Sequence, residues 1–522
     1  MPSPPLLLLA CCLLLGCSAV SCYRVLAVFP VASRSHATLG RGVVDALLAD
    51  GHEVTFITPY PENKNVKNLK EIDVSVTQKV IKAINMMDEA NRHGGPDFVK
   101  AMSLNVSRAM MATPAVQGEL RTGRFDAVVT EWFFNEYLAG FAATLQVPWV
   151  LLNGMVYHPY LEQLVDAPQS PAILPMMAND YPVPMSFIER VKNTFIVGMM
   201  LGTYAFKDKY EFAEVYEELF APLAKSRGVE LRPFDEASAD VAVVLLNSHP
   251  ALAHVQSVPP NVIDVAGYHL DESPKPLPQD LQTLLDNSKQ GFVYFSMGSV
   301  LKSANFPAHT RQALLKVFEK LPYTVLWKFE EAMDGLPKNV HVRAWMPQQS
   351  ILAHPNIKLF ITHGGMLSSV EAIHYGVPLL AIPMFGDQPS NAQRAARRGY
   401  AISVPFSPDM TPQVEDALGK LLSDDTYYKT AKTLSAVFRA RPTTPRKLIA
   451  HYVRLAIESK GAHHLRTKTH LYPWYQRLLL DQLLVLLLII LFVIRMIEKL
   501  FIKLFLSAAS KKDAGKKKVK KN

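Results

Sequence analysis

Residues 360–388 read FITHGGMLSSVEAIHYGVPLLAIPMFGDQ. An apolar segment, 360–362, runs into His363 and two glycines, Gly364 and Gly365, and helix-forming residues begin at Met366. Glycine lets a ligand approach the backbone closely, and the free N–H groups of a first helical turn hold anions. The stretch therefore predicts a phosphate-binding turn between a strand and a helix.

Side chains around this turn suit a nucleotide. His363 and Ser368 can donate to phosphate oxygens, and Glu371, one helical turn later, can accept from both hydroxyls of a ribose. Asp387 and Gln388 follow the next apolar segment. Because ligands bind at the carboxyl ends of parallel strands, we expect both residues to lie on the ligand side of the sheet.

Strand and helix signals alternate on both sides of this stretch. The segments that read as strands are 23–29, 53–58, 127–130, 148–152 and 241–247, then 292–296, 324–328, 340–343, 359–362 and 379–382. A proline-rich segment, 256–280, separates the two sets and is predicted to be a linker. The pattern predicts an α/β protein built of two halves, each a parallel sheet with helices on its faces.

Composition excludes several classes of protein. The chain has 522 residues, of which 49% are hydrophobic and 19% are charged, so it is neither disordered nor collagen-like. Its formal charge is +9, but residues 495–522 hold ten Lys and Arg against two acidic residues, a net of +8. The remainder is nearly neutral, and we expect no nucleic-acid partner.

The amino terminus is predicted to be a signal peptide, residues 1–22. An apolar segment, 6–15, precedes small residues at 18–21, and the first charge is Arg24, although a basic flank is missing. The alternative is a buried strand or a retained anchor. All four cysteines, Cys11, Cys12, Cys17 and Cys22, lie here, so their count predicts neither a disulfide framework nor a zinc site elsewhere.

The carboxyl terminus is predicted to contain one transmembrane helix, residues 476–497. It follows Trp474 and Tyr475, which suit the headgroup level, and precedes a basic tail, 498–522, expected to be cytoplasmic. The body would then be lumenal, in a single-pass type I arrangement. Lys518 and Lys520 resemble a dilysine signal for return to the endoplasmic reticulum, with a lipid-binding polybasic patch as the alternative. Asn105 begins a glycosylation sequon on the predicted lumenal side.

The sequence resembles the UDP-glycosyltransferases, and most closely the membrane-bound animal members, particularly those of insects. The resemblance spans nearly the whole mature chain. The matching residues are Ser35-His36, the segment 295–299, Trp345-Met346-Pro347-Gln348-Gln349, His354, the segment 360–365, Ser368, Glu371, Pro378, Pro383 and Asp387-Gln388.

This resemblance implies a GT-B fold, in which two Rossmann-like domains face each other across a cleft. An acceptor-binding domain would occupy 23–255, and a UDP-sugar-binding domain with closing helices would occupy 281–475. Trp345 would stack on uracil beside Gln348, Ser299 and His363 would bind the diphosphate, and Asp387 and Gln388 would bind the sugar. The alternative for that last pair is a helix amino cap. The implied donor-binding set is Ser299, Trp345, Gln348, His363, Gly364, Gly365, Ser368, Glu371, Asp387 and Gln388.

The resemblance also makes His36 the catalytic base, a role that suits a histidine at the end of a strand. Family members commonly orient the base with an aspartate, whereas the strand 127–130 delivers Glu131 to that place. Glu131 is therefore the predicted partner, with some other hydrogen bond as its alternative role. Direct displacement would invert the anomeric centre and give a β-glycoside, with no metal and no bound cofactor beyond the UDP-sugar co-substrate.

Sugar and acceptor are predicted by class. Leu367 stands where many family members have asparagine. Resemblance to the insect members implies glucose as the transferred sugar, with glucuronic acid as the runner-up. Eleven of the nineteen methionines lie between Met86 and Met200, which favours an adaptable pocket for a small lipophilic acceptor and a role in detoxification. Ordinary core packing is the alternative for each methionine. Association with itself or another chain is also expected.

Two other functions stay open from the sequence. The chain could be a non-catalytic UDP-sugar-binding partner of an active transferase, although an idle copy has no need of His36 and Glu131. It could also be a sugar-nucleotide hydrolase or epimerase, which would normally place further acid-base groups around the sugar.

Overall fold

The computed structural model describes residues 22–84, 94–165, 167, 170–177, 179, 181–271 and 273–519. Side-chain surroundings are described for all of these except 470 and 509–519. The predicted signal peptide up to residue 21, the pair Met86-Met87 and residues 520–522 of the tail lie outside the described residues.

The first sheet is parallel and comes from the amino-terminal half. Its strands are β1 (Arg24–Val28), β2 (Glu53–Thr58), β3 (Leu69–Asp73), β4 (Ala127–Trp132), β5 (Trp149–Asn153), β6 (Val241–Leu246) and β7 (Val262–Asp264). They lie in the order β3-β2-β1-β4-β5-β6-β7. The first six have the Rossmann order, which places the ends of β1 and β4 side by side at the centre of the sheet.

The second sheet repeats this order in the carboxyl-terminal half. Its strands are β8 (Phe292–Ser296), β9 (Thr324–Lys328), β10 (Val340–Arg343), β11 (Ile357–Thr362), β12 (Leu379–Ala381) and β13 (Ala401–Ser403). They lie in the order β10-β9-β8-β11-β12-β13. The central strand β8 is buried along its whole length, as expected for a parallel sheet covered on both faces.

Helices cover both sheets. The helices of the first half are α1 (Arg34–Ala49), α2 (Thr77–Lys82), α3 (Gly95–Met111), α4 (Pro114–Thr122), α5 (Ala139–Leu145), α6 (Pro159–Leu164), α7 (Phe187–Thr203), a π-helical turn (Tyr204–Asp208), α8 (Lys209–Arg227) and α9 (Phe234–Ser238). Those of the second half are α10 (Gln279–Asn287), α11 (Ala308–Glu319), α12 (Gln348–Leu352), α13 (Met366–Tyr375), α14 (Gln388–Arg397), α15 (Thr411–Ser423), α16 (Asp425–Arg439) and α17 (Pro445–Glu458). The two halves meet directly, since the Ser390 hydroxyl donates to the Met177 carbonyl and the Arg398 guanidinium donates to the Ala253 carbonyl.

Four elements differ from the sequence-based expectation. Strand β3, with the sequence LKEID, is too polar to read as a strand, and β13 was not expected. Strand β7 lies inside the segment predicted to be a linker, so 241–247 does not form the last strand of the first sheet. Helix α17 belongs to the carboxyl-terminal sequence but packs its Ile449, Val453 and Ala456 into the core of the first sheet.

The segment from Thr467 onward forms a unit separate from the body, which ends at Arg466. It contains α18 (Trp474–Arg477) and α19 (Leu480–Val519). Within the described residues, Leu480–Ala508 is the one helix long and apolar enough to cross a membrane. The helix begins four residues after the predicted boundary of 476 and continues without interruption past 497 into the basic tail.

Candidate active site

Adjacent strand ends hold an imidazole against a carboxylate. Strands β1 and β4 are neighbours, with Val28 paired to Thr130, so the residues that follow them meet at one edge. Ser33 is the amino cap of α1, and its hydroxyl accepts from the His36 N–H, which places His36 in the first turn. Its Nδ1 lies 2.5 Å from Oε1 of Glu131, which is buried in β4.

The pair fixes the tautomer and the basicity of the imidazole. Because an ionised carboxylate only accepts, Nδ1 of His36 carries the proton and Nε2 is left to receive one. Burial disfavours the charged ring, but the Glu131 carboxylate outweighs it through its charge and hydrogen bond, and Asp387 adds to that effect. Together they raise the pKa of His36 above 6.5. The Phe133 ring packs edge-on at 4.9 Å from the imidazole.

The predicted phosphate turn is built around His363. Gly298 and Gly364 have φ values of +83° and +80°, which favour glycine. A Cβ on Gly298 would lie 2.6 Å from Cε1 of His363, and one on Gly365 would clash with the same ring. Burial, with the Lys328 cation, lowers the pKa of His363 to about 4, so the ring is neutral. Ser299 is exposed beside Gly298.

Lys328 was not among the site residues predicted from the sequence. It ends β9, and its Nζ donates to the Gly298 carbonyl at 3.0 Å and to Glu330 Oε1 at 2.8 Å. A cation therefore holds the glycine turn and lies close enough to affect His363. The signal was present in the sequence, as a lysine at the carboxyl end of a predicted strand.

The residues expected to bind the nucleoside contact one another. Nε2 of Gln348 donates to Ser368 Oγ at 3.2 Å and to Glu371 Oε2 at 2.6 Å. Burial raises the pKa of Glu371 to about 7, partly offset by hydrogen bonds from Gln348 and its neighbour. His269, which the sequence analysis did not select, lies 3.8 Å from the other carboxylate oxygen. Trp345 is 72% exposed, so one ring face is open to a planar base.

Asp387 and Gln388 lie at the start of α14. The Asp387 carboxylate makes no cap bond to the helix; it accepts from Asn391 Nδ2 at 2.7 Å. Asn391 also donates to the Gly364 carbonyl at 3.0 Å, which joins this residue to the phosphate turn. Gln388 is buried, and its Oε1 accepts from the backbone N–H groups of Met384 and Phe385. Burial raises the pKa of Asp387, and His36 opposes that rise, so the two residues influence each other electrostatically.

A cavity of about 100 Å³ adjoins this region between the halves. The second half contributes Asp387 and Arg394, and the first contributes His158 together with Met155, Tyr157, Met176 and Met177. Other methionines, such as Met110 and Met111, are packed in the core. Leu367, at the position where many family members have asparagine, packs against the apolar core of the first half.

One further predicted site lies away from the cleft residues. Asn105 is exposed in the middle of α3, whereas Ser107 of the same sequon is buried and its hydroxyl lies 3.2 Å from that of Tyr137.

Comparison with known proteins decides the family. The family described as "UDP-glucoronosyl and UDP-glucosyl transferase" matches residues 24–515. The chain belongs to this family. It is 32% identical to UDP-glucosyltransferase 2 of Dactylopius coccus over 88% of each chain, and 27% identical to UDP-glucuronosyltransferase 1A8 of Rattus norvegicus over 92% of this chain and 91% of that one. The chain is therefore a UDP-glycosyltransferase.

Solved structures confirm the expected fold. The glycosyltransferase VinC, crystallised with DTDP, superposes with a TM-score of 0.55 at 18% identity, covering 83% of this chain and all of that one. The forosaminyltransferase SpnP gives 0.55 at 17% identity, covering 83% of this chain and 99% of that one. This UDP-glycosyltransferase thus has the GT-B architecture, two Rossmann-type sheets facing across a cleft, together with one candidate membrane helix.

Proposed function

We propose that the protein transfers glucose from UDP-glucose to a hydroxyl of a small lipophilic acceptor with inversion, giving a β-glucoside. The observation that supports this is the His36–Glu131 pair at 2.5 Å, because it supplies a base with a free Nε2 at the edge where ligands of such sheets bind. Asp387, the proposed sugar ligand, is near enough to His36 to raise the pKa of its imidazole, which supports the assignment of base and sugar to one region.

In the proposed step, Nε2 of His36 takes the proton of the acceptor hydroxyl as the oxygen attacks the anomeric carbon. The new C–O bond forms as the bond to the UDP oxygen breaks, so the bonding pair leaves with UDP and the configuration inverts. Glu131 stabilises the imidazolium. The first turn of α13, neutral His363 and the Lys328 cation would stabilise the departing diphosphate.

The donor would lie across the second sheet. We assign uracil to the open face of Trp345, the ribose hydroxyls to Glu371, and the sugar hydroxyls to Asp387 and Gln388. Gln348 donates to Glu371 and Ser368, so it would set the position of the Glu371 carboxylate that binds the ribose. Its own carbonyl oxygen would accept from the edge of the base. Ser299 would donate to the diphosphate beside His363.

Glucuronosyl transfer by the same step is the second candidate. Nη2 of Arg394 donates to Asn391 Oδ1 at 2.5 Å, and Asn391 donates to Asp387. The Arg394 guanidinium is therefore linked to the proposed sugar ligand through one side chain. A guanidinium suits the carboxylate of a glucuronic acid. The relatives named above include enzymes named for each sugar.

The cellular setting completes the proposal. We infer cleavage of a signal peptide near residue 22, a lumenal body glycosylated at Asn105, and a type I helix in the membrane of the endoplasmic reticulum. Conjugation of lipophilic compounds in that membrane would serve detoxification. Membrane confinement also favours association with another copy or a related chain.

The test is turnover in microsomes that contain the full chain. Phenols and alcohols are incubated with UDP-glucose or UDP-glucuronic acid, products are identified by mass spectrometry, and anomeric coupling constants are read by NMR. His36→Ala should abolish the product, whereas His309→Ala, which alters an exposed histidine of the second half, should not. Saturable UDP-sugar binding without any product would favour the non-catalytic binder, and UDP release without acceptor would favour a hydrolase.

A further inference from the structure

Helix α7, the π-helical turn and the start of α8 expose an unusual number of large apolar side chains. We call these side chains the apolar face. Each member is more than half exposed: Phe187, Ile188, Val191, Phe195, Met199, Phe206 and Tyr210. Elsewhere in the body, exposed residues such as Val76, Val300 and Val437 lie on separate elements. Contiguous exposed apolar surface of this kind marks an interaction site.

The opposite side of the same helix is firmly packed. Asn193 is fully buried, accepts from the Met176 N–H and donates to the carbonyls of Pro171 and Leu174. Val197 and Met200 pack with Met176. The apolar face therefore points outward because the other side is held in place.

The π-helical turn continues the face into α8. Asp208, at the end of the turn, is buried and accepts from Lys100 Nζ at 2.5 Å. With Asp208 held inward, Phe206 on the same turn is 87% exposed. The segment 187–210 would extend ~36 Å at the rise of an α-helix, long enough to lie along a surface rather than form a local patch.

We propose that the apolar face lies in the headgroup region of the phospholipid bilayer spanned by the chain's own carboxyl-terminal helix. This rests on the proposed membrane anchor. Thirteen residues, 467–479, join the body to the candidate span, and thirteen residues reach at most ~45 Å when fully extended.

Charge around the face fits lipid phosphates better than a second copy of the protein. Arg190 and Lys192 are exposed beside the α7 part of the face, where the acidic residue Glu189 is engaged in the capping box with Ser186. At the other end, Lys207 lies 3.7 Å from Asp97 and Glu211 is exposed. Basic residues bordering an apolar helical stripe are typical of helices that lie in a membrane interface. The cores of protein interfaces, in contrast, are depleted of lysine.

The experiment places an environment-sensitive fluorophore on single cysteines of the full chain. Cys11, Cys12, Cys17 and Cys22 are replaced by alanine, and the reporters are Phe195→Cys and, as an independent second position, Phe206→Cys. Val437→Cys, an exposed apolar residue outside the face, is the matched control, and Leu487→Cys reports insertion of the candidate span. The proteins are reconstituted in phosphatidylcholine–phosphatidylserine vesicles with doxyl-labelled phosphatidylcholine as quencher.

We expect the lipid quencher to reduce fluorescence at 195 and 206 several-fold more than at 437. If the label at 487 is quenched but the labels at 195 and 206 are quenched no more than the control at 437, the proposal is overturned while the anchor stands. No quenching at 487 would refute the anchor, and with it the proposal. The fluorophore at 195 could instead be shielded without lipid quenching. If that shielding disappears as the protein is diluted at constant lipid, the face binds a second copy of the chain.

Discussion

The two sheets have one strand order, yet their carboxyl edges carry different kinds of site. At the first edge, a buried carboxylate fixes the single imidazole of His36 at 2.5 Å. At the second, the Lys328 cation holds a glycine turn beside a neutral His363, and the ring of Trp345 is exposed. One edge is organised around a proton acceptor and the other around a ligand's shape and charge.

Because the two edges differ in this way, substitutions in each half should affect a different kinetic quantity. A general base depends on one proton and one geometry, so its alteration should affect the rate of chemistry. A nucleotide site distributes its contacts over many groups, so its alteration should affect donor affinity. Separate measurement of kcat and of donor affinity therefore distinguishes a change at one edge from a change at the other.

The largest effect is expected for His36→Ala. Loss of the general base should lower kcat by about 10²–10⁴-fold, while affinity for UDP stays unchanged because the second sheet is untouched. Steady-state rates with a phenolic acceptor and calorimetric titration with UDP measure the two quantities. An equal fold loss in kcat and in UDP affinity would show that the first edge also determines donor binding.

The next largest is expected for Gly298→Ala. The new Cβ would lie 2.6 Å from His363 at a φ of +83°, so the ring must move. Loss of one hydrogen bond to a charged group is worth about 1.5–3 kcal/mol, which should raise the donor KM by about 10–100-fold. Gly335→Ala, at φ +70° with open space around it, is the control for backbone strain. It should lower thermal stability but leave the donor KM unchanged, and an equal rise in donor KM for both variants would contradict the expected mechanism.

Local motifs made much of the donor side predictable. The residues from Thr362 to Glu371 occupy one strand, one turn and one helix, so spacing alone indicates that they share a site. The pairing of His36 with Glu131 was also predictable, although 95 residues separate them, because the ends of parallel strands meet at one edge. Their roles in catalysis remain predictions.

A position at a strand end marks Lys328 as a candidate, but which distant group a side chain contacts could not be read from the sequence. Lys328, His269 and Asn391 contact predicted site residues from elements whose relative placement depends on the whole fold. The same reason explains α17, whose amphipathic pattern indicates a buried side but not which sheet buries it. Strand β3 forms at an edge with a polar sequence, which periodicity does not recognise.

A smaller effect on rate, with a distinct pH signature, is expected for Glu131→Gln. The carboxylate raises the pKa of His36 above 6.5, and the reaction needs neutral His36, so wild-type activity should fall as pH drops through that raised value. Without the carboxylate the pKa of His36 falls, and the acid limb should move to lower pH. A less basic imidazole that the carboxylate no longer orients should also lower kcat on the plateau, by less than the about 10²–10⁴-fold expected for removal of the base itself.

The Glu131→Gln profile is read from kcat between pH 5 and pH 9, with Glu131→Asp as the matched variant that keeps the charge but shortens the side chain. An acid limb at the same pH in Glu131→Gln and the wild type would mean that this carboxylate does not control the base.

The smallest effect concerns Glu371 at the other edge. Burial raises the pKa of Glu371 to about 7, so its carboxylate is ionised above that value and protonated below it. An ionised carboxylate is the better acceptor for ribose hydroxyls, and the difference of about 1 kcal/mol should weaken uridine binding about fivefold between pH 8 and pH 6. Uridine is the appropriate probe because it lacks the phosphate whose own titration would confuse the result. Calorimetry with Glu371→Gln, which cannot ionise, should give weaker binding that is independent of pH. If uridine binding to the wild type is equally independent of pH, Glu371 is not the ribose ligand, and the second edge recognises its nucleotide through its other groups, the glycine turn and Trp345 among them.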